Sequence, residues 1–98
     1  MEKKTPHTPL AMIQAQIAAG NFSITRTAIN GSRDMGLNRA DVLSIIAGMT
    51  IRDFYKSMTT HADHTRWQDV YRPRTKAGDA YVKFMFDGAA LVVSFKEL

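Results

Sequence analysis

Apolar positions in the first half of the chain recur every three or four residues, which is the period of an α-helix. Thr8 can cap a first helix with Pro9 at its first position, and Gly20 ends that helix. A second helix is predicted after Thr25 and before Gly36. The apolar stripes of this half, which we expect in the core, include Leu10, Ile13, Ile17, Val42, Ile45 and Ile46.

A capping box predicts the start of a third helix. Asn38 and Asp41 stand three residues apart just before an apolar run, and the helix is predicted to extend to about Gly48. The second helical segment differs from the other two, because it contains Asn30 and Gly31, which both have low helix propensity.

From Phe54 onward the period changes to two, which is typical of strands with one buried face. Strands are predicted at about Phe54–Thr60, Gln68–Arg74, Ala80–Phe86 and Ala90–Lys96, and the Asp87-Gly88 step between the last two indicates a hairpin. Helices followed by strands predict an α+β fold, in which an antiparallel sheet carries the N-terminal helices on one face. With 98 residues and no linker, the chain is predicted to form one domain, residues 1–98.

The alternation along the strands assigns side chains to two faces of the predicted sheet. Pro73, if it lies within a strand, would make that strand an edge, because proline cannot donate to a β-ladder. The row predicted to face the helices comprises Val82, Phe84, Phe86, Leu91, Val93 and Phe95. If the strands pair in register, the opposite, open face carries Lys56, Gln68, Arg72, Arg74, Tyr81, Lys83, Ser94 and Lys96.

Charge and composition narrow the choice of partners. The net charge of +4 favours a polyanion, but residues 53–98 carry seven cations against six anions, so bulk charge cannot hold RNA to this half. The chain has no cysteine, which excludes disulfides and thiolate-bound zinc. It has no apolar run of membrane-spanning length and no signal-peptide pattern, so we expect a cytoplasmic protein without a membrane partner.

The predicted open face carries the side chains that RNA cleavage needs. RNA supplies its own nucleophile, the 2′-hydroxyl, and the reaction requires a base, an acid and cations that stabilise the phosphorane. Lys56 or Lys96 could act as base or acid if its pKa were lowered. Tyr81 could donate a proton, and Gln68 could hydrogen-bond the phosphate or a base edge. On spacing alone, the competing interpretation is an ordinary solvated sheet face.

The loop HADH offers a different chemistry. His61 and His64 could form an acid–base pair, or could bind a metal together with Asp63. Without cysteine and with this spacing in a loop, the metal signal is weak, so no metal is expected. We interpret His61 as an exposed loop residue and keep His64 as a candidate for RNA contact. The aromatic residues that could stack on bases, or anchor the sheet to its helices, are Tyr55, Trp67 and Tyr71.

The segments DFYKSMTT, DHTRWQDVYRPR and VSFKEL resemble the MqsR family of bacterial toxins, and the similarity extends over nearly the whole chain without a gap. This resemblance implies a RelE-like toxin fold and a ribosome-independent endoribonuclease that cleaves messenger RNA at GCU-type sites. The catalytic residues that it implies are Lys56 in FYKS, Gln68 in WQDV, Tyr81 in AYVK and Lys96 in SFKE. Candidate RNA contacts are Arg72, Arg74, Lys83 and His64.

The resemblance also implies a partner, a cognate antitoxin with a zinc-bearing segment and a helix-turn-helix. Neither a cofactor nor a metal is expected for cleavage itself. Two alternatives stay open: a non-catalytic RNA- or DNA-binding module, and a degenerate toxin that acts only in a complex with its antitoxin. The chain departs from the family pattern around FMFDGAAL and at His61 and Arg66, and these departures could alter sequence preference or partner fit.

Overall fold

The computed structural model describes all 98 residues and has three helices and a seven-stranded sheet. The helices are α1 (Leu10–Ala18), α2 (Arg26–Asp34) and α3 (Arg39–Ala47), and a 3-10 turn covers Ile51–Asp53. The strands are β1 (Glu2–Lys3), β2 (Phe22–Ile24), β3 (Phe54–Thr59), β4 (Trp67–Tyr71), β5 (Arg74–Thr75), β6 (Gly78–Phe86) and β7 (Ala90–Glu97). The three predicted helices and the four longer strands are all present. The short strands β1, β2 and β5 were not predicted.

The main path of the sheet runs β1-β3-β4-β6-β7-β2, and β5 pairs with the start of β6. Four neighbouring pairs on this path are antiparallel, but β2 pairs with β7 in parallel, so the sheet is mixed. The α+β prediction is confirmed, and the antiparallel prediction holds for β3, β4, β6 and β7. Pro73 lies beyond the end of β4, and β4 is an interior strand.

Local capping explains where two of the helices begin. The Thr25 hydroxyl accepts a hydrogen bond from the Ala28 N–H at the start of α2, and Asn38 and Asp41 form the predicted capping box of α3. Thr8 does not cap α1. Its backbone N–H instead donates to the Asp69 carboxylate at 2.9 Å.

Gly31 lies where α2 packs against β7. A Cβ atom at this position would lie 2.2 Å from the backbone oxygen of Phe95, so only glycine fits. The residue that weakened the helical pattern in the sequence therefore permits the close approach of α2 to β7. This contact supports the strand that carries Lys96.

The core lies between the helices and the helix-facing side of the sheet. Val82, Phe84 and Phe95 are almost fully buried there, as predicted. They pack in one cluster with residues of all three helices, Ile13, Ile17, Ala28, Val42 and Ile46.

A β-bulge corrects the predicted core row on β7. Lys83 pairs with Ser94, whereas Phe84 pairs with Val92, so the bulge adds one residue to β7 at Val93. Beyond it, Val92 faces the core with Ala90, and both are buried. Leu91 pairs with Met85 on the open side. The prediction that Leu91 and Val93 line the core was wrong, because strict alternation fails at a bulge.

The buried Tyr71 phenol provides a test of the core. Its hydroxyl makes no hydrogen bond within the protein, and burial, with the nearby Asp69 charge, raises the pKa of Tyr71 to about 12. The unfolded chain therefore loses the Tyr71 proton at a lower pH than the folded protein does. The free energy of unfolding keeps the full contribution of this residue below pH 10 and falls as the pH rises toward 12. We expect the ionisation of Tyr71 to lower the free energy of unfolding by roughly 2–3 kcal/mol over that range, which denaturant unfolding measures.

The control is Tyr71→Phe, which removes only the unpaired hydroxyl. At neutral pH we expect this variant to be as stable as the wild type or slightly more stable, because no hydrogen bond is lost. Its stability should fall less between pH 10 and pH 12. An equal alkaline fall in both proteins would contradict the assignment.

Candidate active site

The strand register gathers three rows of side chains on the open face of the sheet. Lys56 pairs with Val70, Val70 with Lys83, and Lys83 with Ser94, so one row crosses β3, β4, β6 and β7. Paired residues share a face, so Lys56 and Lys83 lie on the same side of the sheet. The register that the sequence could only assume is therefore present for these two residues.

A second row contains Tyr81 and Lys96, which pair directly between β6 and β7. The ammonium nitrogen of Lys96 lies 5.2 Å from the centre of the Tyr81 ring, and that of Lys83 lies 5.8 Å from the same ring. The phenol of Tyr81 is thus flanked by two cations on the open face.

A second tyrosine collects further cations on the β3 side. The Arg72 guanidinium lies 3.9 Å from the centre of the Tyr55 ring, and the ammonium groups of Lys4 and Lys56 lie at 5.1 Å and 5.4 Å. We call the whole group the cation–tyrosine cluster. It comprises Lys4, Tyr55, Lys56, Arg72, Tyr81, Lys83 and Lys96.

The positive charges of the cluster alter its proton affinities. Burial, together with the charges of Lys96 and Lys56, lowers the pKa of Lys83 below its ordinary value. Burial raises the pKa of Tyr81 despite the Lys56 charge, so this phenol stays protonated at neutral pH. Lys83 is therefore the lysine that releases a proton more readily than usual, and Tyr81 is a neutral donor beside it.

The pKa of Lys56 is not lowered, as a role in proton transfer would require. Its ammonium forms an ion pair with the Glu2 carboxylate, and this contact raises the pKa of Lys56 while lowering that of Glu2. The side chain of Lys56 is 21% exposed, so its cation is partly shielded and yet reachable from the open face. Lys56 is a permanent cation in this arrangement.

The segment before α1 fixes Glu2 in position. Strand β1 pairs with β3, with Glu2 opposite Met58 and Lys3 opposite Ser57. Glu2 thereby shares the open face with Lys56, which lies two residues from Met58 on the same strand. The backbone N–H of His7 donates to the Asp69 carboxylate at 3.0 Å, which ties the segment to β4.

Trp67 and Asp69 have structural roles in this attachment. The Trp67 ring stacks on His7 at 5.5 Å and carries the Lys3 ammonium 4.2 Å from its centre. Asp69 is buried and also accepts a hydrogen bond from the Ser57 hydroxyl at 2.6 Å. Trp67 therefore anchors the N-terminal segment to β4, and neither residue that it contacts here belongs to a helix, unlike the predicted anchoring of the sheet to its helices.

Gln68 lies in a third row of the open face, beside the cluster. It pairs with Met58 and donates a weak hydrogen bond to the Met85 sulfur at 3.6 Å. Along the strands this row is about 7 Å from the row of Lys56 and Lys83. The amide thus lies one row away from these lysines on the same face of the sheet.

The remaining sequence-predicted residues divide into one within the cluster and two outside it. Arg72 is exposed and stacks on Tyr55. Arg74 belongs to β5 and lines a depression with Ser44 of α3, apart from the cluster. His64 is exposed in the β3–β4 loop, at the opposite end of that hairpin from Tyr55.

The loop histidines do not assemble a metal site. No three His, Cys, Asp or Glu side chains come together in a way that could hold a metal ion. The Asp63 carboxylate accepts hydrogen bonds from both the backbone and the hydroxyl of Thr65, at 2.9 Å and 2.6 Å. Asp63 thus organises the loop, and His61 is exposed, as interpreted from the sequence.

The largest concave surface lies elsewhere, in a groove of about 540 Å³ between α2, α3 and β2. Its lining includes Ile24, Ile29, Arg33, Leu37, Arg39 and Val42. The groove offers arginines, which do not exchange protons at neutral pH, but no lysine, tyrosine, histidine or carboxylate. The chemistry of the open face therefore makes it the stronger candidate.

Sequence reasoning missed the contribution of the N-terminus to the site. Glu2 and Lys4 carry no pattern in the sequence, because β1 is only two residues long. Tyr55 was considered only as a stacking or anchoring residue. It reaches the cluster because the β3–β4 register shifts between Phe54 and Lys56.

Comparison with known proteins identifies the family of the chain. The family described as "Motility quorum-sensing regulator, toxin of MqsA" matches residues 5–97. The chain is also 46% identical over 97 residues to the Escherichia coli (strain K12) protein named mRNA interferase toxin MqsR, and the match covers 99% of each chain. None of the three helices is long and apolar enough to span a membrane. The family match and the relative each extend over nearly the whole chain, and the chain therefore belongs to the MqsR toxin family.

Proposed function

We propose that this protein is the toxin of a type II toxin–antitoxin system and acts as an endoribonuclease on single-stranded messenger RNA. Its whole length, residues 1–98, serves as one catalytic domain in the cytoplasm. Cleavage occurs at GCU-type sites without a ribosome and without a divalent metal, and it stops translation and growth. Membership of the MqsR toxin family and the name of the E. coli relative support the activity.

The cation–tyrosine cluster is the observation that carries this proposal. Five cationic side chains converge on two phenols, although the C-terminal half of the chain is nearly neutral. A phosphodiester bound here meets donors that are already in place, and such preorganised groups stabilise developing negative charge without reorganisation. Guanidinium and ammonium groups are suited to phosphate oxygens.

The side chains divide naturally between holding the phosphate and moving protons. Lys56, Lys96 and Arg72 neutralise the non-bridging oxygens as the phosphorane forms. Tyr81 donates a proton to the departing 5′-oxygen, and Lys83, whose pKa is lowered, restores that proton. Gln68 hydrogen-bonds a base edge or the adjacent phosphate.

The absence of clustered metal ligands leads to a direct test. Purified protein incubated with a GCU-containing RNA in excess EDTA should cleave it at the rate seen without chelator. The products should carry a 2′,3′-cyclic phosphate and a 5′-hydroxyl, because the attacking group is the RNA's own 2′-hydroxyl. Loss of cleavage in EDTA that magnesium restores would refute metal independence. Retention of intact RNA would favour a binding module without catalysis.

Family membership also supports an antitoxin partner, which we propose to be a two-domain protein with a zinc-bearing segment and a helix-turn-helix. Expression of the toxin alone should arrest bacterial growth, and co-expression of the cognate antitoxin should restore it through direct binding. Lys96→Ala expressed to the same soluble level is the matched control, since it should arrest growth far less. Normal growth with verified soluble wild-type protein would count against a toxin.

A further inference from the structure

We propose that Glu2 is a catalytic residue of this site and accepts the proton of the attacking 2′-hydroxyl. This inference rests on the proposed function. Glu2 is the one carboxylate that contacts the cation–tyrosine cluster, through its ion pair with Lys56. Its side chain is 56% exposed, so an RNA strand on the open face can reach the carboxylate.

The cation–tyrosine cluster contains many hydrogen-bond donors but needs a proton acceptor. The ammonium, guanidinium and phenol side chains of the cluster all donate hydrogen bonds, and the phenol of Tyr81 is protonated at neutral pH. The amide oxygen of Gln68 accepts hydrogen bonds, but it is not basic enough to take a proton. The cluster therefore needs a proton acceptor from outside it, and a carboxylate that is ionised at neutral pH can fill this role.

The position of Glu2 fits the geometry of RNA. The 2′-hydroxyl neighbours the scissile phosphate on the same ribose, so a carboxylate beside a phosphate-binding ammonium lies within side-chain reach of that hydroxyl. Lys56 provides this ammonium. The bound phosphate draws Lys56 toward itself and repels the carboxylate, which frees Glu2 from its ion pair and increases its basicity.

The attachment of the N-terminal segment shows that this placement is not a loose surface contact. Two backbone N–H groups, those of His7 and Thr8, donate to the buried carboxylate of Asp69, and Lys3 and His7 pack on Trp67. The backbone oxygen of Met1 also accepts a hydrogen bond from Thr59 N–H at 3.0 Å. Glu2 is therefore delivered to Lys56 by a fixed strand.

The proposed step balances in atoms and electrons. Glu2 takes the proton of the 2′-hydroxyl, and the 2′-oxygen electron pair forms a bond to phosphorus. The bond from phosphorus to the 5′-oxygen breaks with its electron pair on that oxygen, which takes a proton from Tyr81. The products are the 2′,3′-cyclic phosphate and the 5′-hydroxyl. Lys83 then returns a proton to Tyr81 and regains its own from solvent, and Glu2 releases its proton to solvent, so nothing is oxidised or reduced.

The pH dependence distinguishes Glu2 from other proton acceptors. The charged groups that face Glu2 are Lys56 on β3, Lys4 on its own segment and the N-terminal amine, and they lower the pKa of Glu2 below 4.5. With Glu2 as acceptor, kcat/KM, which reports the protonation state of the free protein, stays level on the acid side down to about pH 5, because the carboxylate remains ionised. With neutral Lys83 as acceptor, the rate instead rises steeply between pH 6 and pH 8.

The experiment compares single-turnover cleavage by wild type, Glu2→Gln, Glu2→Asp and Asp34→Asn. Asp34 ends α2 and is exposed, so Asp34→Asn is a control that loses one negative charge away from the site. We expect Glu2→Gln to lose roughly a hundredfold or more, and its rate to increase with hydroxide concentration from pH 5 upward. Glu2→Asp keeps the carboxylate and should retain an intermediate rate, whereas Asp34→Asn should cleave like the wild type.

A second substrate identifies which proton transfer is affected. In an RNA with sulfur in place of the bridging 5′-oxygen, the leaving group needs no proton. Tyr81→Phe should recover on this substrate, whereas Glu2→Gln should remain defective. The affinity for an RNA with a 2′-deoxy residue at the attacking position, which cannot be cleaved, should change less than threefold in Glu2→Gln.

The inference would be overturned if folded Glu2→Gln cleaved with the rate and pH profile of the wild type. Faster cleavage by this variant would also overturn it, because Glu2 would then only block Lys56. Recovery of Glu2→Gln on the sulfur substrate would also overturn it, because Glu2 would then act on the leaving group. If Glu2→Gln fails to fold, Glu2→Asp decides: a wild-type rate from a side chain one methylene shorter contradicts the assignment. Absence of cleavage by the wild type would refute the proposed function itself.

Discussion

Replacing Lys96 by alanine is expected to reduce single-turnover RNA cleavage roughly a hundredfold or more while leaving the fold intact. Lys96 is exposed at the end of β7, and its ammonium lies 5.2 Å from the Tyr81 ring centre. In the proposed mechanism the substitution removes a preorganised cation beside the phosphorane, and such groups contribute about 3–4 kcal/mol to transition-state stabilisation. The packing of the core should not change, because the side chain contributes nothing to it.

Lys76→Ala is the matched control for this prediction. Lys76 is an exposed lysine whose ammonium pairs with Asp41 of α3, outside the cation–tyrosine cluster. Its loss should leave the cleavage rate unchanged. Tyr81→Phe removes only a hydroxyl and should slow cleavage without lowering the melting temperature. Wild-type cleavage by folded Lys96→Ala and Tyr81→Phe would show that the active site lies elsewhere.

Phe84→Ala is expected to lower the free energy of unfolding by about 3–5 kcal/mol, because it opens a cavity in a well-packed core. Phe84 is 1% exposed and packs edge-on against Tyr71, with ring centres 5.7 Å apart. Denaturant unfolding of both proteins measures the difference. The substitution tests the core side of the same strand that carries Tyr81 and Lys83 on its open side.

Leu91→Ala is the control that also tests the β-bulge. Strict alternation along β7 would place Leu91 in the core. Its truncation would then lower the free energy of unfolding as much as the truncation of any core leucine. The observed register places it opposite Met85 on the open face, so we expect a loss of about 1 kcal/mol. A loss similar to that of Phe84→Ala would contradict the register of the β6–β7 hairpin.

Features set by neighbouring residues could be predicted from the sequence. The Asn38–Asp41 capping box and the Thr25 cap involve contacts over three residues, so the starts of α2 and α3 followed from local chemistry. The positions of Tyr81 and Lys96 opposite the apolar residues also followed from the alternation of short segments. The functional assignment of these residues came from family resemblance, since spacing alone equally fitted a solvated sheet face.

Features set by long-range pairing could not be predicted. Glu2 reaches Lys56 only because β1 pairs with β3, a contact between residues more than fifty positions apart. Arg74 was placed with Arg72 by strand parity, but β4 ends at Tyr71 and Arg74 joins β5 opposite Asp79. The alternation of one strand gives no information about where that strand ends or which partner follows.

The grouping of charges in the fold also depends on long-range contacts that the sequence does not reveal. The C-terminal half has a net charge of only +1, and composition therefore gave a weak signal for RNA binding. Folding buries Asp69 on the helix-facing side and brings Lys4 from the N-terminus to Tyr55. The resulting cluster is far more cationic than the sequence around it, because the fold separates the charges between the two faces.

The most direct test of the account maps where RNA binds. Isotope-labelled protein is titrated with a GCU-containing RNA whose attacking nucleotide is 2′-deoxy, so that it binds without being cut, and the shifts of the NMR signals are recorded. We predict the largest changes at Lys56, Tyr81, Lys83 and Lys96 on the open face. Changes confined to the groove between α2 and α3, at Arg33 and Arg39, would contradict the claim that the open face of the sheet is the active site.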